Sequence, residues 1–264
     1  MQIRVSAIAL LLGWVVVVSA HAESHLFRLS VDAAFANEFS TPDGYQLRSS
    51  AGALGGVGVG YRLAHKGFLF DVGVGASYSY ISNGLNDSVY VEDMFDVQGE
   101  PYTGEHRFTE RQDGGQRVSV NVPVMFGGEW GRWYALAGAK FNAALWTRTQ
   151  EKGLYSLSGQ YDRFIDPFEH MPVNGFVHNQ PYENPPLQPS LTWDVRVCAE
   201  VGYMLNNRDA TLGYHGNTLR SDYYLAVFAE YGVCHSAPLA PFVVGVRFTA
   251  LWEIPKIPKC HCAD

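Results

Sequence analysis

Apolar and polar residues alternate along most of this chain with a period of two, not 3.6. The clearest stretch lies near the C-terminus. There Phe242, Val244, Val246, Phe248, Ala250 and Trp252 share one parity, and Val243, Gly245, Arg247, Thr249, Leu251 and Glu253 the other. Successive side chains of a strand point to opposite faces, so such a segment separates an apolar environment from a mixed one. The same pattern recurs over residues 27–35, 57–63, 68–80, 118–126, 133–145, 191–203 and 223–233. That makes eight expected strands, close to the roughly 9–11 residues with which a tilted strand crosses a bilayer.

A soluble β-sandwich also alternates, but it hides its apolar face and wets a polar one. Here the mixed face is rich in Gly and Ser, whereas the apolar face carries Trp, Tyr, Phe and Val. Small or polar residues inside and apolar residues outside suit a membrane barrel. The expected fold is therefore all-β: an eight-stranded, antiparallel, up-and-down transmembrane β-barrel.

Aromatic residues of the apolar parity gather at the strand ends. Tyr61, Phe68, Trp130, Trp133, Tyr203, Tyr223 and Trp252 mark one end, and Phe35, Phe39, Tyr78, Tyr80, Trp193 and Tyr231 the other. Headgroup interfaces select two such girdles. Trp146 has the wrong parity in this register, which points to a bulge or strand end beside it. Short links at residues 64–67 and around Gly131-Arg132 read as periplasmic turns, and long links over 81–116 and 149–189 as external loops. A link over 206–222 is long for a periplasmic turn. A loop that hides a hairpin would turn eight strands into ten.

Composition narrows the picture further. Among 264 residues only 17% are charged, 14% are aromatic and the net charge is −7. That charge balance argues against nucleic acid as a partner. No apolar run of about 18 residues follows the N-terminus, so helical spans are not expected. Residues 1–22 read as a secretory signal: Arg4, a short apolar stretch, then Ala20-His21-Ala22 as an A-x-A cleavage site. The expected organisation is a signal peptide (1–22), an outer-membrane barrel (23–254) and a short periplasmic tail (255–264).

The inward parity collects six basic residues, Arg28, Arg62, Arg117, Lys140, Arg196 and Arg247. It also collects six acidic ones, Asp32, Asp71, Glu129, Asp194, Glu200 and Glu230. An eight-stranded barrel is just wide enough for side chains to fill. Charges held there must pair, because an unpaired buried charge is costly. A plug of paired charges is expected, with a small-solute pore as the alternative.

Several stretches carry a resemblance: Gly55-Gly56-Val57-Gly58-Val59-Gly60-Tyr61, Asn121-Val122-Pro123-Val124, Leu136-Ala137-Gly138-Ala139-Lys140 and Val244-Gly245-Val246-Arg247-Phe248. Over residues 26–253 the chain resembles the small outer-membrane β-barrel domain family, in the OmpA-like and PorT-like group. The resemblance implies outer-membrane residence and no set chemistry. The soluble peptidoglycan-binding domain that OmpA-like proteins often carry after the barrel has no counterpart in residues 254–264.

Candidate chemistry is sparse. The glycines of residues 55–60 fit neither G-x-G-x-x-G nor a Walker A ending and read as space inside the barrel. Cys198, Cys234, Cys260 and Cys262 show no standard zinc spacing; disulfides, metal binding and a bland tail all stay open. His106, His170, His178 and His235 lie near Ser and acidic residues, but there is no G-x-S-x-G elbow. A lipid-modifying enzyme is thus the runner-up to a non-catalytic scaffold or binding role. No catalytic residue, cofactor or metal is assigned. Expected partners are outer-membrane lipid, the barrel assembly machinery, and an external ligand or protein at the long loops. Those loops hold Tyr90, Met94, Phe95, Tyr102 and Phe108, then Tyr155, Tyr161, Phe164, Phe168, Phe176 and Tyr182. These aromatics read equally as contact anchors and as self-packing over the barrel mouth.

Overall fold

The computed structural model describes residues 24–40, 47–95, 99, 101–160, 177–186, 192–206, 221–235 and 239–254. The signal segment, the tail with Cys260 and Cys262, and Tyr161, Phe164, Phe168, Phe176 and His170 lie outside the described residues. Ten strands occur among those described: β1 Ser24–Ser40, β2 Leu47–His65, β3 Phe68–Leu85, β4 Ser88–Phe95, β5 Pro101–Trp130, β6 Trp133–Gln160, β7 Val177–Glu183, β8 Thr192–Met204, β9 Ser221–His235 and β10 Leu239–Glu253.

All pairings are antiparallel, and they return to their start. β1 pairs with β2, then follow β3, β5, β6, β8, β9 and β10, and β10 pairs with β1. These eight strands match the eight segments expected from the alternation, with residue 191 of the 191–203 segment outside the described residues. The count of eight is nevertheless corrected to ten, because β4 and β7 lie in stretches read as loops. The loops over 81–116 and 149–189 are also largely strand, since β5 and β6 pair from Trp130↔Trp133 up to Thr103↔Gln160. Where β3 ends, β4 continues along β5; above β8, β7 continues along β6. The result is a four-stranded extension, β4-β5-β6-β7, rising from one side of the circuit. Alternation alone could not reveal it, because its faces mix aromatic, charged and small residues.

The turns at the opposite end are tight. Lys66 and Gly67 both have positive φ (47° and 82°), as a two-residue turn between twisted strands requires. Gly131 (φ 62°) opens the turn between β5 and β6. The link after β8 is described only at its ends. There Asn206 Nδ2 donates to the Ser221 carbonyl at 2.7 Å, and Tyr223 N–H donates to Asn206 Oδ1 at 3.0 Å.

One face of the circuit is apolar and uncovered. Val31, Val57, Val74, Phe141, Val227 and Val246 are all exposed. Tyr78, Tyr80, Trp193 and Tyr231 on one side, and Phe68, Trp130, Trp133 and Trp252 on the other, are exposed at its two rims. Trp146 joins the first rim. The register shift beside Ser119 leaves Leu145 as an extra residue on β6, so both Leu145 and Trp146 face outward.

The other face is buried, and its lower part is apolar. Leu26, Leu69, Met125, Tyr134, Leu136, Met204, Tyr224 and Leu251 form one cluster. A smaller cluster of Ala36, Ile81, Phe228 and Val243 lies higher. Inward glycines leave room for long side chains between them. A Cβ on Gly73 would lie 2.6 Å from both Arg28 Nη2 and the Val59 carbonyl. On outward Gly55 it would meet nothing nearer than a carbonyl at 4.0 Å. Gly73→Leu should therefore cost about 1–3 kcal/mol through overpacking. Gly55→Ala should be neutral or slightly stabilising. Urea unfolding of the two variants checks the contrast, and equal effects would refute it.

Candidate functional site

The inward residues of the ring strands bring charge together across strands remote in sequence. Arg28, from β1, and Arg62, from β2, both reach Asp71 on β3, at 2.5 and 2.8 Å. All three are essentially buried. The Arg62 guanidinium also lies 4.7 Å over the Tyr134 ring. The Tyr134 hydroxyl donates to Glu200 on β8, and Glu200 pairs with Arg247 on β10. Arg247 closes the ring by gripping Asp32 on β1 with two hydrogen bonds, at 2.6 and 3.0 Å.

A second group stands beside the first. Glu230 on β9 receives Lys140 from β6 and, at 3.2 Å, Arg196 from β8. Arg196 also grips Asp194 through two contacts of 2.6 and 3.2 Å, and Asn142 donates to Asp194 at 2.8 Å. Toward the extension, Arg117 lies 3.7 Å from Glu38, whose other oxygen accepts from Asn83 at 2.8 Å.

Of the twelve charges expected on this parity, ten meet one another. Arg117 instead finds Glu38, and Glu129 sits at the lower end, where its N–H donates to the Gly67 carbonyl. The pairing is shared rather than one-to-one: Asp71 and Glu230 each serve two cations, and Arg247 and Arg196 each serve two carboxylates. Glu38 lies beyond the expected end of the first strand at Phe35. Carrying its even-numbered parity three residues further would have found it.

On the extension, the face continuous with the interior carries a packed aromatic group. His106 stacks on Tyr90 with ring centres 4.4 Å apart, and Phe108 packs against Tyr155 and Tyr182 at 5.1 and 5.4 Å. His106 Nε2 lies 3.3 Å from Glu92, and its Nδ1 is 2.8 Å from the Tyr155 hydroxyl. The Nδ1–phenol hydrogen bond and the stack on Tyr90 hold the ring in place. Burial, followed by Tyr90, Glu92 and Tyr102 nearby, pushes the Tyr155 phenol up, so this hydroxyl keeps its proton. Of the described loop aromatics, Tyr90, Phe108, Tyr155 and Tyr182 thus pack together, Tyr102 donates to the Met94 sulfur, and Phe95 is exposed. At the foot of the extension Arg111 bonds Glu151 at 2.8 Å, Ser88 at 3.1 Å and the Asn86 carbonyl at 3.3 Å. These bonds tie β5 to β6, to β4 and to the link that precedes β4. Cys198 is buried on the inner face, Cys234 is exposed, and both are free thiols. Among the described residues no group of His, Cys, Asp and Glu is arranged to hold a metal.

No protein-family model matches the sequence, and no curated protein matches it. Similar solved structures include the attachment invasion locus protein Ail of Yersinia pestis, at 12% identity over 88% of this chain and 99% of that one, with a TM-score of 0.30. The translocator domain of the autotransporter NalP from Neisseria meningitidis is 10% identical over 95% and 98%, with a TM-score of 0.23. The beta domain of the Bordetella autotransporter BrkA is 9% identical over 88% and 99%, with a TM-score of 0.19.

Asp71→Asn leaves Arg28 and Arg62 buried without their carboxylate and should cost about 3–5 kcal/mol. Glu105→Gln, in the exposed pair with Arg107, should cost under about 1 kcal/mol. Chemical denaturation of both variants reads the difference. Asp113 lies above the aromatic rim, opposite Glu151 in register. Burial first, then Glu38 and Glu151, raises its carboxyl. The unfolded chain ionises this group at the ordinary aspartate pKa, whereas the folded protein resists. The penalty on folding therefore grows as pH rises above that value, and it is complete above the raised one. Asp113→Asn should raise Tm at neutral pH and lose that gain below the ordinary aspartate range. A gain independent of pH would refute the assignment.

Proposed function

We propose that this chain is an outer-membrane β-barrel whose eight ring strands cross the bilayer, and that it serves as a scaffold or interaction protein rather than a catalyst. One observation carries the reading: a closed circuit of strands with an exposed apolar outer face, rimmed by aromatics, around a buried charged interior. Water would penalise that outer face, whereas hydrocarbon accepts it. Closure also leaves the ring strands no unpaired edge, which a lipid environment demands.

In this reading residues 1–22 direct export and are removed near Ala22. The turns at Lys66-Gly67 and Gly131-Arg132 face the periplasm, with the tail 255–264. The extension stands outside the cell. The shared ion pairs and the apolar base cluster close the interior, which favours a plug over a small-solute pore. Outer-membrane lipid and the barrel assembly machinery are its partners in the envelope, and an external ligand or protein would meet the extension. Membership of the OmpA-like and PorT-like group belongs to the same proposal.

Two measurements test it. Val246→Arg, at mid-strand on the outer face, should cost roughly 2–4 kcal/mol in a bilayer refolding assay. A neutral result would remove the lipid-facing assignment. The unmutated protein in a planar bilayer should show no large, steady conductance, and a stable open pore would overturn the closed interior.

A further inference from the structure

A cleft of about 290 Å³ opens on the outer wall, between the tops of β3, β5 and β6, where β7 ends at Glu183. Three cross-strand rows build it. The lowest is Tyr80, Gln116 and Arg148; the middle is Ser82, Gly114 and Gln150; the upper is Gln112 and Lys152, with Glu183 opposite Lys152 on β7. Gly114 makes the hollow, because it has no side chain at the centre of the middle row. A Cβ there would meet only the Tyr80 hydroxyl at 3.6 Å and the Gln150 carbonyl at 3.9 Å, which is ordinary contact.

The next row down on this face is Tyr78, Val118 and Trp146, part of the aromatic rim. Below that rim the outer parity of β5 is Val120, Val122, Val124 and Phe126. The outer wall therefore changes from apolar to amide and cation within one row of the girdle. Arg148 lies two residues above Trp146, about 7 Å along the strand, and Lys152 about 13 Å further. That interval begins at the depth of lipid headgroups and extends beyond a small one. Interior cations have buried carboxylate partners. Neither Arg148 nor Lys152 has an ion-pair partner among the described residues, and both side chains face outward.

We propose that this cleft binds the phosphorylated saccharide headgroup of an outer-leaflet glycolipid. Arg148 and Lys152 are spaced for two anionic groups on one larger headgroup. The amides of Gln112, Gln116 and Gln150 suit sugar hydroxyls, as does the carboxylate of Glu183, and Tyr80 offers a ring face to the sugar. The proposal rests on the membrane reading above and names the lipid class that this face takes.

The test uses full-length protein refolded into phosphatidylcholine bicelles, titrated with a bis-phosphorylated glucosamine-disaccharide lipid and followed by native mass spectrometry. Arg148→Gln/Lys152→Gln should lower affinity about a hundredfold, because it removes both charge-assisted contacts. Gly114→Leu, which fills the hollow and keeps both charges, should lower it similarly. Arg132→Gln, at the opposite rim, should bind as the parent does. The dephosphorylated lipid should bind the parent as weakly as the intact lipid binds the double variant. Equal binding by the double variant, or no loss in Gly114→Leu, would overturn the proposal. So would equally tight binding of the soluble, deacylated bis-phosphorylated disaccharide, because the site would then serve a free phosphosugar. Heat-modifiable gel mobility separates the two readings. A parent that fails to insert refutes the membrane reading, whereas one that inserts without preferring the phosphorylated lipid refutes only the cleft.

Discussion

The pairing of the first strand with the last is the constraint on which everything else depends. Residues Leu26 to Ser40 of β1 run beside Leu239 to Glu253 of β10 without a register shift. Without that seam the ring strands would end in two long open edges, and neither face of the sheet would be an inside. With it, most inward side chains lose access to bulk water and must find a partner within the ring. The seam carries its own ionic clasp, Arg247 on Asp32. It is also the most non-local contact in the chain, so loop-closure entropy is met late and folding by this route is slow.

Closure explains how charge and apolar groups divide the interior. The base is apolar, and the belt above it is ionic, with Asp71, Glu200 and Glu230 as hubs that join both adjacent strands and strands one further on. Buried ion pairs of this kind contribute little net stability, because desolvation offsets most of their attraction. Their effect here is on register. A slip of one residue on any strand would carry its charges to the apolar outer face and its valines inward, at a penalty far above that of a misplaced neutral side chain. The glycines of β2 and β3 belong to the same design, since Arg28 reaches Asp71 across space that a side chain on Gly73 would fill.

Above the ring the rules change. The extension has two edges, β4 and β7, each paired on one side among the described strands. It holds its shape through stacked aromatics and the Arg111–Glu151 tie rather than through closure. Its inner face is thereby occupied by its own rings. Its outer foot carries cations with no ion-pair partner among the described residues around the Gly114 hollow, so the wall there is open.

Residue order alone determined a good deal. Period-two alternation is a local property, so it marked eight ring strands, the outward parity and both aromatic rims. The parity break at Trp146 even announced the bulge at Leu145. What it could not determine was partnership. Whether Arg117 meets Glu129 or Glu38, and whether Asp71 serves one arginine or two, depends on registers between strands, and no single segment encodes those. Strands β4 and β7 stayed hidden for the same reason: their faces show no clean alternation, and they exist because the long arms of β5 and β6 offer hydrogen-bonding edges. The cleft is the extreme case. Tyr80, Gly114 and Arg148 are scattered in sequence and become a surface only when three registers bring them onto adjoining rows.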